Sequence, residues 1–167
     1  MMQRYDFLKA IAADAADALA VCTGWGAREW WAVRPSEGNL KTRTLGLVSS
    51  IAAGLAFALP HRKVIAIDGD GAFLMNLCGL PTIALQNPPN LIHLLFNNEC
   101  YEASGGTATA SHVADAVALA RGAGYKHATW VNTPAEFRTE FVQTWKRAEL
   151  TLIAAKVEPG QPGIFPF

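Results

Sequence analysis

Val64-Ile65-Ala66-Ile67-Asp68-Gly69-Asp70-Gly71-Ala72 and Leu91-Ile92-His93-Leu94-Leu95-Phe96-Asn97-Asn98-Glu99-Cys100-Tyr101 are the stretches whose reading settles the architecture. Each is a short, continuously apolar run that stops abruptly at polar residues, with glycines at the first stop. Such a run fits a strand buried on both faces, as in a parallel sheet covered by helices. The gap between Gly71 and Asn97 holds 25 residues, room for one crossover helix and a returning strand. If the two strands are neighbours, their ends lie roughly 5 Å apart.

Working outward, the same alternation recurs. Phe7 to Leu19 has apolar residues at helical spacing and runs into a short strand, Ala20 to Thr23, that stops in a turn at Gly24. A helix is expected over Leu47 to Leu59, and another ends near Gln86. Pro81 requires that second helix to start late, near Cys78. A helix over His112 to Arg121 precedes a strand over His127 to Val131. The last helix is announced by Thr133 as cap, Pro134 at the first position and Glu136 reaching back in a capping box. A final strand covers Leu150 to Val157. The expectation is an α/β chain in three layers, helices on both faces of a mostly parallel sheet of five or six strands, forming one domain over residues 1–167. Residues 158–167 read as an extended C-terminal arm.

The bulk numbers exclude several classes. Half the residues are apolar and 17% are charged, so the chain is a packed globule with apolar surface to spare for a partner. Lys+Arg and Asp+Glu balance at 14 each, which leaves no basic field for nucleic acid. Cys22, Cys78 and Cys100 form no C-x-x-C pair and read as free thiols in a reducing cytoplasm. No run of about 18 apolar residues suggests a membrane span, and the N-terminus lacks a signal-peptide core.

In open parallel sheets ligands bind beyond the carboxyl ends of the strands. Asp70 and Asn98 follow two such ends, and a carboxylate with an amide oxygen can meet on one cation. Mg²⁺ takes hard oxygens at roughly 2.1 Å and leaves several positions to water and phosphate. The glycines flanking Asp70 let backbone N–H groups approach a phosphate closely. Gly-Asp-Gly alone is an ordinary turn and Asn-Asn an ordinary loop. Their pairing at two strand ends is what points to a site. A nicotinamide fingerprint is not met, because Gly69-x-Gly71 is followed by Leu74 where the third glycine would stand.

Asp68-Gly69-Asp70-Gly71 followed by Asn97-Asn98 resembles the signature of thiamine diphosphate-dependent enzymes. The resemblance implies that Asp70, the Asn98 side chain and the Cys100 carbonyl bind Mg²⁺, and that Gly69, Gly71 and Ala72 lie against the diphosphate. Thr44-Leu45-Gly46-Leu47-Val48-Ser49-Ser50-Ile51 is similar to a second family segment. It puts Leu45 under the bent cofactor, Thr44 beside it, and the Arg43 carbonyl opposite the 4′-amino group; the family usually has glycine at the Arg43 position. Gly46, Ser50, Gly54 and Ala58 form a smooth ridge for a neighbouring helix, the cofactor or internal packing. Tyr101 to Ala108, with Ser104-Gly105-Gly106-Thr107, and Gly69 to Leu77 look most like sulfopyruvate decarboxylase β subunits and phosphonopyruvate decarboxylase.

That resemblance implies a 2-oxo acid decarboxylase acting on a small anionic substrate, in which thiamine diphosphate supplies the electron sink. The activating glutamate belongs to the family's pyrimidine-binding domain, which has no counterpart here. No catalytic side chain is therefore assigned to this chain, and a pyrimidine-domain partner subunit is expected, in a heterotetramer or within a homodimer. A non-catalytic regulatory subunit and another thiamine diphosphate carboligase or lyase are the alternatives. Of the histidines, His93 reads as a satisfied interior residue and His112 as a helix start or a substrate contact. Trp25, Trp30 and Trp31 read as interface or core.

Overall fold

Alternate residues of the central strands divide between two cores, and that division sets the layers. The computed structural model describes residues 2–160. In it, Ile65, Ile67, Ile92, Leu94, Phe96, Ile153 and Ala155 face one hydrophobic cluster, while Val64, Ala66, Leu91, Leu95, Leu152 and Ala154 face the other. A strand whose side chains alternate between two apolar layers has no polar face, so period two disappears into a continuous apolar run.

The strands are β1 (Leu19–Cys22), β2 (Asn39–Lys41), β3 (Val64–Gly69), β4 (Leu91–Asn97), β5 (Cys100–Tyr101), β6 (Thr107–Ala108), β7 (His127–Val131) and β8 (Thr151–Lys156). Six of them form a sheet in the order β2-β1-β3-β4-β8-β7, every pairing parallel. β5 and β6 make a separate antiparallel hairpin. The helices are α1 (Arg4–Ile11), α2 (Gly24–Val33), α3 (Val48–Ala58), α4 (Asp70–Leu74), α5 (Gly79–Gln86), α6 (Ala116–Gly122) and α7 (Pro134–Arg147). Helices α1, α2 and α7 cover one face, and α3 to α6 the other. Among the described residues, no helix is long and apolar enough to cross a membrane.

Several expectations need correction. The first helix ends at Ile11, not Leu19, because Ala12 to Ala18 turn back to feed β1. Gly24 does not end an element in a turn; at φ +56 it opens α2. β2 was not expected at all. The helix expected from His112 begins at Ala116, where the Asp115 carboxylate accepts the Ala118 N–H at 2.9 Å, and Ala110–His112 is a separate 3₁₀ turn. Glu136 reaches one residue beyond the cap and accepts the Asn132 N–H at 2.8 Å, while Thr133 caps Glu136 N at 3.2 Å. Pro81 sits in the first turn of α5, where its missing N–H costs no helical bond. Of the expected arm, Glu158 pairs with Gln3, and residues 161–167 lie outside the described residues.

Candidate functional site

The chain leaves β1 toward β2 on one side and continues from β3 to β4 on the other. The carboxyl ends of β1 and β3 therefore send their loops in opposite directions and leave a crevice between them. A cavity opens there, lined by Thr23 to Gly26 after β1, Ile67 to Ala72 around the end of β3, Asn98 and Cys100 to Ser104 after β4, and Leu45.

Local chemistry explains each wall. After Ile67 the Asp68 carboxylate accepts the Gly69 N–H at 3.1 Å, and Gly69 in extended conformation caps α4. Asp70 is thus the first residue of that helix, not the middle of a turn, and is 2% exposed. Its Oδ2 accepts the Ser111 hydroxyl at 2.7 Å and the Thr109 hydroxyl. Its Oδ1 has no hydrogen bond among the described residues. Beyond β4, Asn97 Oδ1 accepts Glu99 N at 3.0 Å and Asn98 Oδ1 accepts Cys100 N at 3.2 Å. Two successive side-chain turns, with Glu99 at φ +59, reverse the chain as soon as the strand ends and return Cys100 to the rim.

The two glycines beside Asp70 differ. A Cβ on Gly69 would meet nothing within 4 Å, whereas one on Gly71 would lie 2.3 Å from the Tyr101 ring. Open space over one backbone unit and a ring against the other make a groove that bare backbone can line. Gly46, at φ +82, has its own reason to be glycine, since a Cβ there would press on Met75 at 3.2 Å. Its carbonyl accepts Asn76 Nδ2 at 2.7 Å, which fixes the Leu45 segment to the end of α4. Leu45 is 40% exposed and lines the cavity; Arg43 and Thr44 are exposed and do not. The small-residue ridge divides: Gly46 and Ser50 pack internally against Asn76, while Gly54 faces open space.

Charge around the cavity was not foreseen. Arg4 Nε and Nη2 donate to Glu29 at 2.6 and 2.9 Å, and Nη1 donates to Glu102 at 3.1 Å. Burial pushes the Glu29 carboxyl up from its ordinary range, against the pull of the Arg4 hydrogen bonds. Glu102 also accepts Gly160 N at 2.5 Å, so this cluster ties α1, α2, the loop after β5 and the chain beyond β8 together at the rim. Burial, with the Glu102 and Asp70 carboxylates nearby, keeps the Cys100 thiol above its usual pKa. A protonated thiol is a poor ligand for a hard cation, and the oxygen Cys100 offers is its carbonyl.

Among the described residues no three His, Cys, Asp or Glu side chains gather into a metal-binding group. A cation at Asp70 would thus rest on one carboxylate plus amide and carbonyl oxygens. That donor set fits a hard ion that draws the rest of its shell from water and phosphate, and it does not fit zinc.

Sequence reasoning missed Thr23 to Gly26. The Gly24-x-Gly26 pair directly after a strand was the available signal. A Cβ on Gly26 would touch Ile67 at 3.4 Å, so α2 packs closely on β3 and brings its N-terminal N–H groups to the cavity. His93 is fully buried but not satisfied. Among the described residues neither ring nitrogen has a hydrogen-bond partner, and Nε2 is 3.6 Å from Asp68. His112 is half exposed and pairs with Glu99 at 3.3 Å. Trp30 is core and donates to Asn39 at 3.0 Å, Trp31 is exposed, and Trp25 lines the cavity under Arg28.

Comparison with known proteins agrees with this geometry. Residues 20–155 match the model of the thiamine pyrophosphate enzyme C-terminal TPP binding domain. The sulfopyruvate decarboxylase subunit beta of Methanothermobacter thermautotrophicus is 38% identical over 127 residues, which covers 75% of this chain and 68% of that protein. The phosphonopyruvate decarboxylase of Streptomyces hygroscopicus is 32% identical over 116 residues, 70% of this chain and 29% of that one. The solved structure of the Rhodococcus jostii thiamine diphosphate-dependent 4-hydroxybenzoylformate decarboxylase superposes with a TM-score of 0.82 at 23% identity. That match covers 96% of this chain and 33% of that one, and it speaks to the fold. Because the family model spans residues 20–155, most of the chain from β1 to β8, the chain belongs to the thiamine pyrophosphate enzyme family as a C-terminal TPP-binding domain.

Proposed function

We propose that this chain is the diphosphate- and Mg²⁺-binding part of a thiamine diphosphate-dependent decarboxylase for a small anionic 2-oxo acid of the sulfopyruvate or phosphonopyruvate type. The observation that carries this reading is that Asp70 and both Asn98 and Cys100 lie beyond adjacent parallel strands, on one cavity shared with Leu45 and the N-terminus of α2.

In this reading Mg²⁺ is held by an Asp70 oxygen, the Asn98 amide oxygen and the Cys100 carbonyl. The N–H groups of Gly71 and Ala72, with those at the start of α2, face the diphosphate, and Gly69 leaves it room. Leu45 supports the cofactor, with Thr44 and the Arg43 carbonyl toward its aminopyrimidine. Thiamine diphosphate, when bound, supplies the nucleophilic carbon and the electron sink for loss of CO₂. The protein residues here bind, orient and exclude water; the glutamate that activates the cofactor comes from a pyrimidine-binding partner subunit, in a heterotetramer or a homodimer. With three free cysteines, we assign the complex to a reducing cytoplasm.

Calorimetry on the chain co-expressed with a pyrimidine-domain subunit tests this. Thiamine diphosphate should bind only when Mg²⁺ is present, Asp70→Ala should abolish that binding, and sulfopyruvate or phosphonopyruvate should release CO₂. Metal-independent binding, or NAD binding in its place, would overturn the cofactor assignment. An assembled complex that binds cofactor but is inert on both acids would favour the regulatory alternative.

A further inference from the structure

We infer that Thr109 and Ser111 are positioning residues for the metal-binding carboxylate, a role that rests on Asp70 being the Mg²⁺ ligand. Both hydroxyls reach one oxygen of Asp70, Oδ2, Ser111 at 2.7 Å and Thr109 in a shorter contact. The two hydroxyls also touch each other. Three oxygens meet here with only two hydroxyl hydrogens between them. At any moment one of the three contacts therefore carries no hydrogen, but a carboxylate oxygen only accepts, and both hydroxyls lie within donating distance of Oδ2. Oδ2 is thereby the engaged oxygen, and Oδ1 is left without a hydrogen bond among the described residues. A carboxylate that could rotate freely would present either oxygen; this one is held with a single oxygen uncommitted.

Thr109 does more than hold the carboxylate. It is 4% exposed, and its backbone N–H donates to the Glu99 carbonyl at 3.0 Å. Glu99 lies between Asn98 and Cys100, the other two proposed donors. One residue therefore joins the Asp70 carboxylate, through its side chain, to the asparagine loop, through its backbone. The spacing of the donor set is fixed from 39 residues away in sequence. Ser111 is fixed in turn, since its N–H donates to Thr109 Oγ1 at 3.4 Å, as the 3₁₀ turn Ala110–His112 is capped. Partners of this kind orient metal ligands, and their loss typically weakens metal binding about 10- to 100-fold.

The test is Mg²⁺ affinity, measured by calorimetry at saturating thiamine diphosphate on the assembled complex, with Asp70→Ala as reference. Thr109→Val keeps the shape and removes the hydroxyl, Ser111→Ala removes the other, and Thr109→Ser restores the first. The double variant should raise the Kd for Mg²⁺ by about 10- to 100-fold, with kcat at saturating Mg²⁺ largely retained and Thr109→Ser close to wild type. Double-variant affinity within twofold of wild type, while Asp70→Ala has lost binding, would overturn the positioning role alone. If Asp70→Ala itself still binds Mg²⁺ as before, the metal assignment fails and this inference with it. Should Thr109→Val not fold, Ser111→Ala decides by itself: a several-fold weaker Kd supports the role and an unchanged one overturns it.

Discussion

Replacing Gly71 with alanine tests the packing of the cavity wall. The backbone there is helical, so an alanine meets no conformational strain. Its methyl would lie 2.3, 2.7 and 3.0 Å from Cε1, Cδ1 and Cζ of Tyr101, where ordinary contact begins at 3.4 Å. The ring must withdraw by about 1 Å or more, as in other overpacked sites. The Tyr101 backbone stays in place, because it pairs with Thr107 in the β5–β6 hairpin and its carbonyl accepts Gly106 N at 3.0 Å, so the side chain itself has to turn away to make room. Overpacking of this kind costs about 1–3 kcal/mol. The better helix propensity of alanine returns at most about 1 kcal/mol. Urea denaturation should therefore show Gly71→Ala destabilised by up to about 2 kcal/mol once the full propensity gain is subtracted, together with weaker cofactor uptake by the assembled complex. In a Tyr101→Ala background the methyl enters the space the ring vacated, and the cost of Gly71→Ala should vanish. An equal loss in both backgrounds would refute the contact as its cause.

Two further predictions concern charge. Glu29→Gln leaves Arg4 buried with only Glu102 for full charge compensation, and breaking a buried pair costs about 3–5 kcal/mol. The Arg4→Met/Glu29→Leu double variant should recover most of that loss; a Glu29→Gln midpoint indistinguishable from wild type would show that the pair contributes nothing. Asp115 is held below the usual carboxylate pKa by the Ala118 N–H, with Trp130 Nε1 adding to it. A depressed folded pKa gives stability that is present above the unfolded value, about pH 4 for aspartate, and is lost as pH falls through the lower folded value. Asp115→Ala should thus cost about 1 kcal/mol at pH 7, and the gap from wild type should close in acid; a gap that stays constant with pH would contradict the charged cap.

The sequence by itself determined β3 and β4, the polar residues at their carboxyl ends and the start of α7. The reason is local: a doubly buried strand must be apolar throughout, a strand end must turn, and a helix start must satisfy its own N–H groups within four residues. It also determined the family resemblance, since the Gly-Asp-Gly and Asn-Asn elements are read within single loops.

Tertiary structure decided the rest. α2 has two glycines and three tryptophans in Gly24–Val33, and its helix is stabilised by packing on β3, which local propensity does not register. β2 is three residues at a sheet edge, too short to show a period. The Arg4–Glu29–Glu102 cluster and the hydroxyls of Thr109 and Ser111 on Asp70 join residues 25 to 98 positions apart. Such contacts leave no mark on nearest-neighbour pattern, because the geometry that brings them together is set by strand order and not by the residues beside them.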